Sequence, residues 1–241
     1  MRLSGFVLLL ATIGTAEAAM IAISDSSAFI HANGGLVTQF TQSSPTYFTT
    51  LDGANLGTFG WSYTNGTGAS LTNVRVSGFL DADIDRDLNT FFNEYGLFLS
   101  LGLPSDAPAG AIAATSWQID EPGFVFGTIL ADLAADSLRN ENFVSSATPD
   151  DASLALGFLI GSLAPGRTVA LTLRISPTNI GGLQQFDPDS DSGFYLNGFA
   201  TLSPLGETPS PSDVPEPSTF GLVACAVSAL LFSTRKRLVG K

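Results

Sequence analysis

Residues 166–176, GRTVALTLRIS, alternate almost without fault. Val169, Leu171, Leu173 and Ile175 fall on one face, and Thr168, Ala170, Thr172 and Arg174 on the other. That period of two is the signature of a strand with one buried side, and a helix cannot satisfy it. The pattern recurs. FGWSYT places Phe59, Trp61 and Tyr63 together, and NVRVSGFL offers Val74, Val76 and Phe79 as inward residues. MIAISDSSAF, LVTQFTQ, EYGLFLSLGL, GFVFGTILADL and SGFYLNGFATLSPL are further strand candidates set between turn residues. HANGG around Asn33 predicts a turn, and TNGTG after Tyr63 predicts a hairpin, because Asn-Gly between alternating runs favours tight reversal. Only residues 131–143 (ADLAADSLRNENF) and 89–96 (NTFFNEYG) read as helical. The expectation is an all-β chain, an antiparallel β-sandwich of immunoglobulin-like or jelly-roll-like form. Strand spacing does not separate those two.

The ends have a different texture. Residues 1–18 carry one base, Arg2, then an apolar stretch, then Ala16 and Ala18 in A-x-A spacing. That order predicts a secretory signal peptide cut after Ala18, leaving a β-sandwich domain over 19–205. Between residues 19 and 213 there are sixteen Asp and four Glu against five Arg and no Lys, a charge of about −15. Such a field disfavours nucleic acid and anionic lipid as partners. The single cysteine, Cys225, lies outside the domain, so no disulfide can brace the core even in an oxidising compartment.

Catalytic patterns are weak. The only histidine, His31, adjoins a Gly-rich turn with no nucleophile motif beside it, and it reads as a turn residue without a role. No phosphate loop, dinucleotide fingerprint or Cys/His cluster is present, and no cofactor is expected apart from calcium. The calcium candidates are two acidic runs. DADIDRD sets Asp81, Asp83, Asp85 and Asp87 at alternate positions, which share one side of an extended chain. DPDSDSG sets Asp187, Asp189 and Asp191 at the same spacing. Alternate oxygen ligands suit a hard cation, although glycine and the twelfth residue depart from an EF-hand loop. The aromatics Trp61, Tyr63, Phe91, Phe92, Tyr95, Phe194 and Tyr195 were they exposed could stack on sugar rings; alternation in strands makes them core residues first.

Residues 206–217 hold Pro209, Pro211, Pro215 and Pro217 and almost nothing apolar, which makes an extended spacer. Residues 218–241 then supply fifteen uncharged positions, 220–234, including Phe220, Leu222, Val223, Leu230, Leu231 and Phe232. As a helix they reach about 22 Å, short of the roughly 30 Å of a bilayer core. Arg235, Lys236 and Arg237 follow and would stay cytoplasmic. The expectation is a single, short C-terminal transmembrane helix.

Val214, Pro215, Glu216 and Pro217, then the apolar run, then the basic end, resemble the PEP-CTERM sorting signal of Gram-negative bacteria. The middle stretch WSYTNGTGASLTNVRVSGFLDADID is loosely similar to body segments of such exported proteins. The resemblance implies a substrate of an exosortase, an integral membrane protease-transferase, parallel to the tails read by sortases in Gram-positive bacteria. It implies a non-enzymatic protein released to, or attached at, the cell surface among exopolysaccharide and biofilm matrix. Pro215, Glu216 and Pro217 would carry recognition, the prolines holding Glu216 in an extended segment. A calcium- or polysaccharide-binding sandwich, adhesin-like, is the alternative, and a secreted hydrolase the least favoured.

Overall fold

The structure, a computed structural model, describes residues 20–86 and 90–204, without the Phe91 side chain. The expected signal peptide with Ala16 and Ala18, Asp87, the spacer with its 214–217 motif and the 218–241 segment lie outside the described residues. The elements are β1 (Ile21–Ala32), β2 (Gly35–Thr41), β3 (Tyr47–Thr49), β4 (Gly57–Thr64), β5 (Leu71–Ile84), a single 3-10 turn (Phe91–Asn93) and β6 (Tyr95–Ser100). They continue with β7 (Ser116–Asp120), α1 (Ile129–Ala134), β8 (Glu141–Asn142), β9 (Ser153–Leu163), β10 (Thr168–Ser176), β11 (Gly182–Asp187) and β12 (Ser192–Leu202).

The strands form two six-stranded sheets. The first runs β2-β1-β5-β9-β7-β8 and the second β3-β4-β10-β12-β11-β6. Every pairing is antiparallel except the two-residue β7–β8 contact, which is parallel. The alternation works as expected: Val169, Leu171, Leu173 and Ile175 of β10 meet Phe59 and Trp61 of β4 and Val74, Val76 and Leu80 of β5 in one core. The ring centroids of Phe59 and Trp61 lie 5.7 Å apart with the rings at 82°, the T-shaped arrangement that aromatic quadrupoles favour.

Phe79 departs from the expected set. Its neighbours in β5 alternate, so Val74 and Val76 enter the core while Phe79 points through the opposite face. There it packs with Phe29 and Ala155 under Ile129 and Leu133 of α1. A short helix thus covers the middle of a face that would otherwise meet water.

Two further expectations give way. The TNGTG segment does not make a hairpin: β4 belongs to the second sheet and β5 to the first. A tight Asn-Gly reversal needs positive φ at both residues. Asn33 (54°) and Gly34 (83°) meet that need between β1 and β2, whereas Asn65 and Gly66 do not. Asn65 is instead buried and knots the crossing. Its Nδ2 donates to Ala69 O (2.9 Å) and Leu163 O (2.8 Å), and its Oδ1 accepts from Thr67 N–H (3.0 Å). Residues 131–143 are helical only to Ala134, because Asp136 (φ 55°) and Asn140 (φ 57°) take left-handed backbone. Glu141 and Asn142 then pair with β7 as β8. GFVFGTILADL is a loop followed by α1 rather than a strand, and 89–96 keeps only the 3-10 turn.

Candidate functional site

The outer face of the first sheet is built in cross-strand rows. His31, Arg75 and Leu159 stand side by side, and the next row is Phe29, Ser77, Gly157 and Ser116. A third row holds Ser27, Phe79, Ala155 and Gln118, and a fourth holds Asp25, Asp81, Ser153 and Asp120. Because α1 sits over Phe29, Phe79 and Ala155, the face divides into a polar groove at one end and an acidic end at the other.

The groove has two lobes on either side of an ion pair. Arg75 Nε and Asp136 Oδ2 lie 3.5 Å apart. One lobe, about 490 Å³, is bounded by His31, Leu36, Asn73 and the end of α1. The other, about 330 Å³, is bounded by Thr115, Ser116, Asn140 and Leu159. His31 is buried, and its Nε2 donates to Ala134 O at 3.0 Å, which leaves Nδ1 without a partner. Asn140 is held by accepting the Trp117 N–H at 2.9 Å. The lining mixes guanidinium, amide and hydroxyl donors with a carboxylate acceptor, on a base that includes Leu159. Such a lining suits an uncharged ligand rich in hydroxyl groups, and the lobes fall in the size range of small-molecule sites.

The α1 cover is fixed by a buried polar network. Gln118 Nε2 (2.9 Å) and Thr128 Oγ1 (2.7 Å) donate to Asp132 Oδ2, and Arg139 Nη2 donates to Asp132 Oδ1 at 3.1 Å. Burial pushes the Asp132 carboxyl up, but these donors and the Arg139 charge outweigh it and hold the group below the usual range. Thr128 N–H donates to Asp120 Oδ2 (2.9 Å), so the same network clamps the loop leading into α1.

The acidic end works against itself electrostatically. Asp25 is directly opposite Asp81, and like charges across strands repel. Burial, then the charges of Asp83 and Asp25, push Asp81 up to about 6, despite the hydrogen bond from Ser153 Oγ (2.9 Å). Burial and the charges of Asp81, Asp83 and Asp150 push Asp151 up to about 7. Glu94, fully buried, is pushed up to about 9 by burial, against hydrogen bonds from Ile84 N–H and Gln185.

The sequence candidates distribute as follows. Asp81 and Asp83 share the outer face as expected, Asp83 accepting from Ser24 Oγ (2.8 Å) and facing Arg86 at 3.6 Å. Asp85 lies past the strand end in left-handed backbone (φ 51°), where its carboxylate accepts the Met20 N–H at 3.0 Å. Asp187 is buried at the base of the β11–β12 turn. Its oxygens accept from Asp189 N–H (2.8 Å), Asn93 Nδ2 (3.3 Å) and Ser190 Oγ (3.0 Å), while Asp189 and Asp191 are exposed. Among the described residues no three His, Cys, Asp or Glu side chains converge on one point that a metal ion could fill. Trp61 and Phe194 are core, Tyr63, Tyr95 and Tyr195 are half-buried, and among the described side chains of this set only Phe92 is exposed, so these described aromatics form no common platform; the Phe91 side chain lies outside the described residues. Arg75, Asn73, Asp136, Ser116 and Asn140 carried no motif. Their one sequence signal is that Arg75 is a charged residue on the polar side of an alternating strand.

Among the described residues no helix is long and apolar enough to cross a membrane. Compared with known families, with characterised proteins and with solved structures, the chain gives no match.

Proposed function

We propose that this chain is an exported, non-enzymatic cell-surface or matrix protein in which a β-sandwich is the cargo and residues 214–241 are the address. The observation that carries the reading is where the fold stops. The last strand ends at Leu202, and Ser203 is pinned by Arg167, whose Nε (2.9 Å) and Nη2 (2.8 Å) both donate to its carbonyl. The Pro-rich spacer begins three residues later, so the domain is finished before the tail starts. In this reading Val214, Pro215, Glu216 and Pro217 are presented at the inner membrane by a short apolar helix and its basic end, and an exosortase reads them. The test is the mature C-terminus, measured by mass spectrometry in cells with and without the exosortase. Loss of the 218–241 segment only where the enzyme is present is expected, and an identical C-terminus in both would sink the reading.

A second reading concerns the cargo. The two-lobed groove around Arg75 and Asp136 supports binding of a neutral polysaccharide, as matrix attachment would require. Titration with neutral polysaccharides should show binding that Arg75→Ala or Asp136→Ala weakens about tenfold, roughly the loss of one good hydrogen-bonded contact. Flat signals with the unaltered protein would retire this reading.

A further inference from the structure

We propose that two copies of this chain pair edge to edge through the charge-poor side of the sandwich that β2 and β3 form. Residues 26–74 hold a single charged residue, Asp52, in a body of about −15. That stretch supplies β2 and β3, the open edge of the first sheet and the open edge of the second, joined by a five-residue link. Both edges are therefore on one side, and that side exposes Leu36 (47%), Val37 (41%) and Phe48 (38%).

The charge distribution names the occupant. Acidic copies repel wherever their carboxylates come within about 10 Å, the screening length at moderate salt. The charge-poor side, where Leu36 borders only the mutually neutral Arg75–Asp136 pair, is where two of them can meet. Edge strands are ordinarily protected by lysine, proline, an inward charge or a bulge. β2 has no charge and no proline, and its one such device is the bulge that leaves Val37 outside the register between Leu36 and Thr38. Thr41 is already engaged, its N–H with Ser44 Oγ (2.9 Å) and its carbonyl with Trp61 Nε1 (2.9 Å), so the free length is residues 35–40. Antiparallel pairing about a two-fold axis lets identical edges satisfy each other.

The test is the mass of the full chain in neutral detergent, by light scattering across concentration. A dimer is expected, and Leu36→Lys with Gln39→Lys should weaken it at least tenfold while the far-ultraviolet circular dichroism stays unchanged. Asp189→Lys, at an exposed position on another turn, should leave the dimer intact. A monomer at all concentrations overturns the proposal, whether or not an added peptide binds β2. A dimer indifferent to the two lysines overturns it as well.

Discussion

Gln185 of β11 joins the two sheets at the acidic end by donating from Nε2 both to Ala82 O in β5 and to Glu94 Oε2. Glu94 in turn accepts the Ile84 N–H at 2.7 Å, so one amide and one carboxyl close the gap between the last residues of β5 and the second sheet. Both side chains are fully buried. A buried acid with these partners is retained at a cost in desolvation, which makes this junction sensitive to substitution and to pH.

Gln185→Leu should therefore destabilise the domain out of proportion to the change in size. It removes a donor from Glu94 and from Ala82 O, and leaving buried acceptors unmet costs about 1–3 kcal/mol. For a domain of this size each kcal/mol moves Tm by about 2–4 °C. A fall of several degrees in calorimetry is expected, and an unchanged Tm would show that the junction carries no weight.

Stability should decline as pH rises from about 5 to about 8. Glu94, Asp151 and Asp81 have folded-state values near 9, 7 and 6, against ordinary values of 4.5 and 3.8. The unfolded chain releases these protons near pH 4 while the folded one keeps them. Their contribution is thus complete below pH 4 and is lost progressively upward, through about 6 for Asp81, 7 for Asp151 and 9 for Glu94. Asp132, held low, acts oppositely but only in acid. Tm measured across this range should fall, and Glu94→Gln should flatten the upper part of the curve. A Tm that climbs from pH 5 to 8 would refute the assignment.

Asp132→Ala should loosen α1 without unfolding the sandwich. It strips the shared acceptor of Gln118, Thr128 and Arg139, and leaves the amide of Gln118 buried and short of a partner. Removing one member of a largely buried pair costs about 3 kcal/mol, less here because Arg139 is partly exposed. Uncovering Phe29 and Phe79 should raise binding of an apolar dye while strand content holds. Unaltered dye binding and Tm would place the cover's stability elsewhere.

How far the chain could be read from its sequence follows from the range of each signal. β10 and β4 were legible because a strand's two faces are set by neighbouring residues, and Val169 to Ile175 needed no distant information. Phe79 was not, since its burial depends on α1, fifty residues on, and on which sheet face that helix covers. Asn65-Gly66 misled because an Asn-Gly pair has the same local preference whether it turns a hairpin or crosses between sheets. Leu163 and Arg167, about a hundred residues away, decide the outcome through bonds to Asn65. The groove was illegible for the same reason: Arg75 and Asp136 meet only through the register of β5 and the left-handed turn after α1. The acidic run was legible as a strand face, but its cross-strand partner Asp25 was not.

Asn65 offers the sharpest test of that crossing. Besides its side-chain bonds, its N–H donates to Arg167 O (2.9 Å) and its carbonyl accepts Gly166 N–H (2.8 Å), so the residue ties the β4–β5 crossing to the β9–β10 turn. Asn65→Ala keeps the backbone bonds and deletes the amide. Two carbonyls, Ala69 O and Leu163 O, then lose a donor, and the Thr67 N–H and hydroxyl lose an acceptor. With about 1 kcal/mol per net hydrogen bond and more where a group stays buried, a loss of roughly 3 kcal/mol is expected. Asn65→Asp should recover little, because a carboxylate restores the Thr67 acceptor while facing two carbonyl oxygens with no proton to give. Chemical denaturation of the three proteins ranks them directly. If Asn65→Asp matched the parent chain, the donors from Nδ2 would be dispensable and the crossing would owe its stability to the core packing of Trp61 and Leu71 alone.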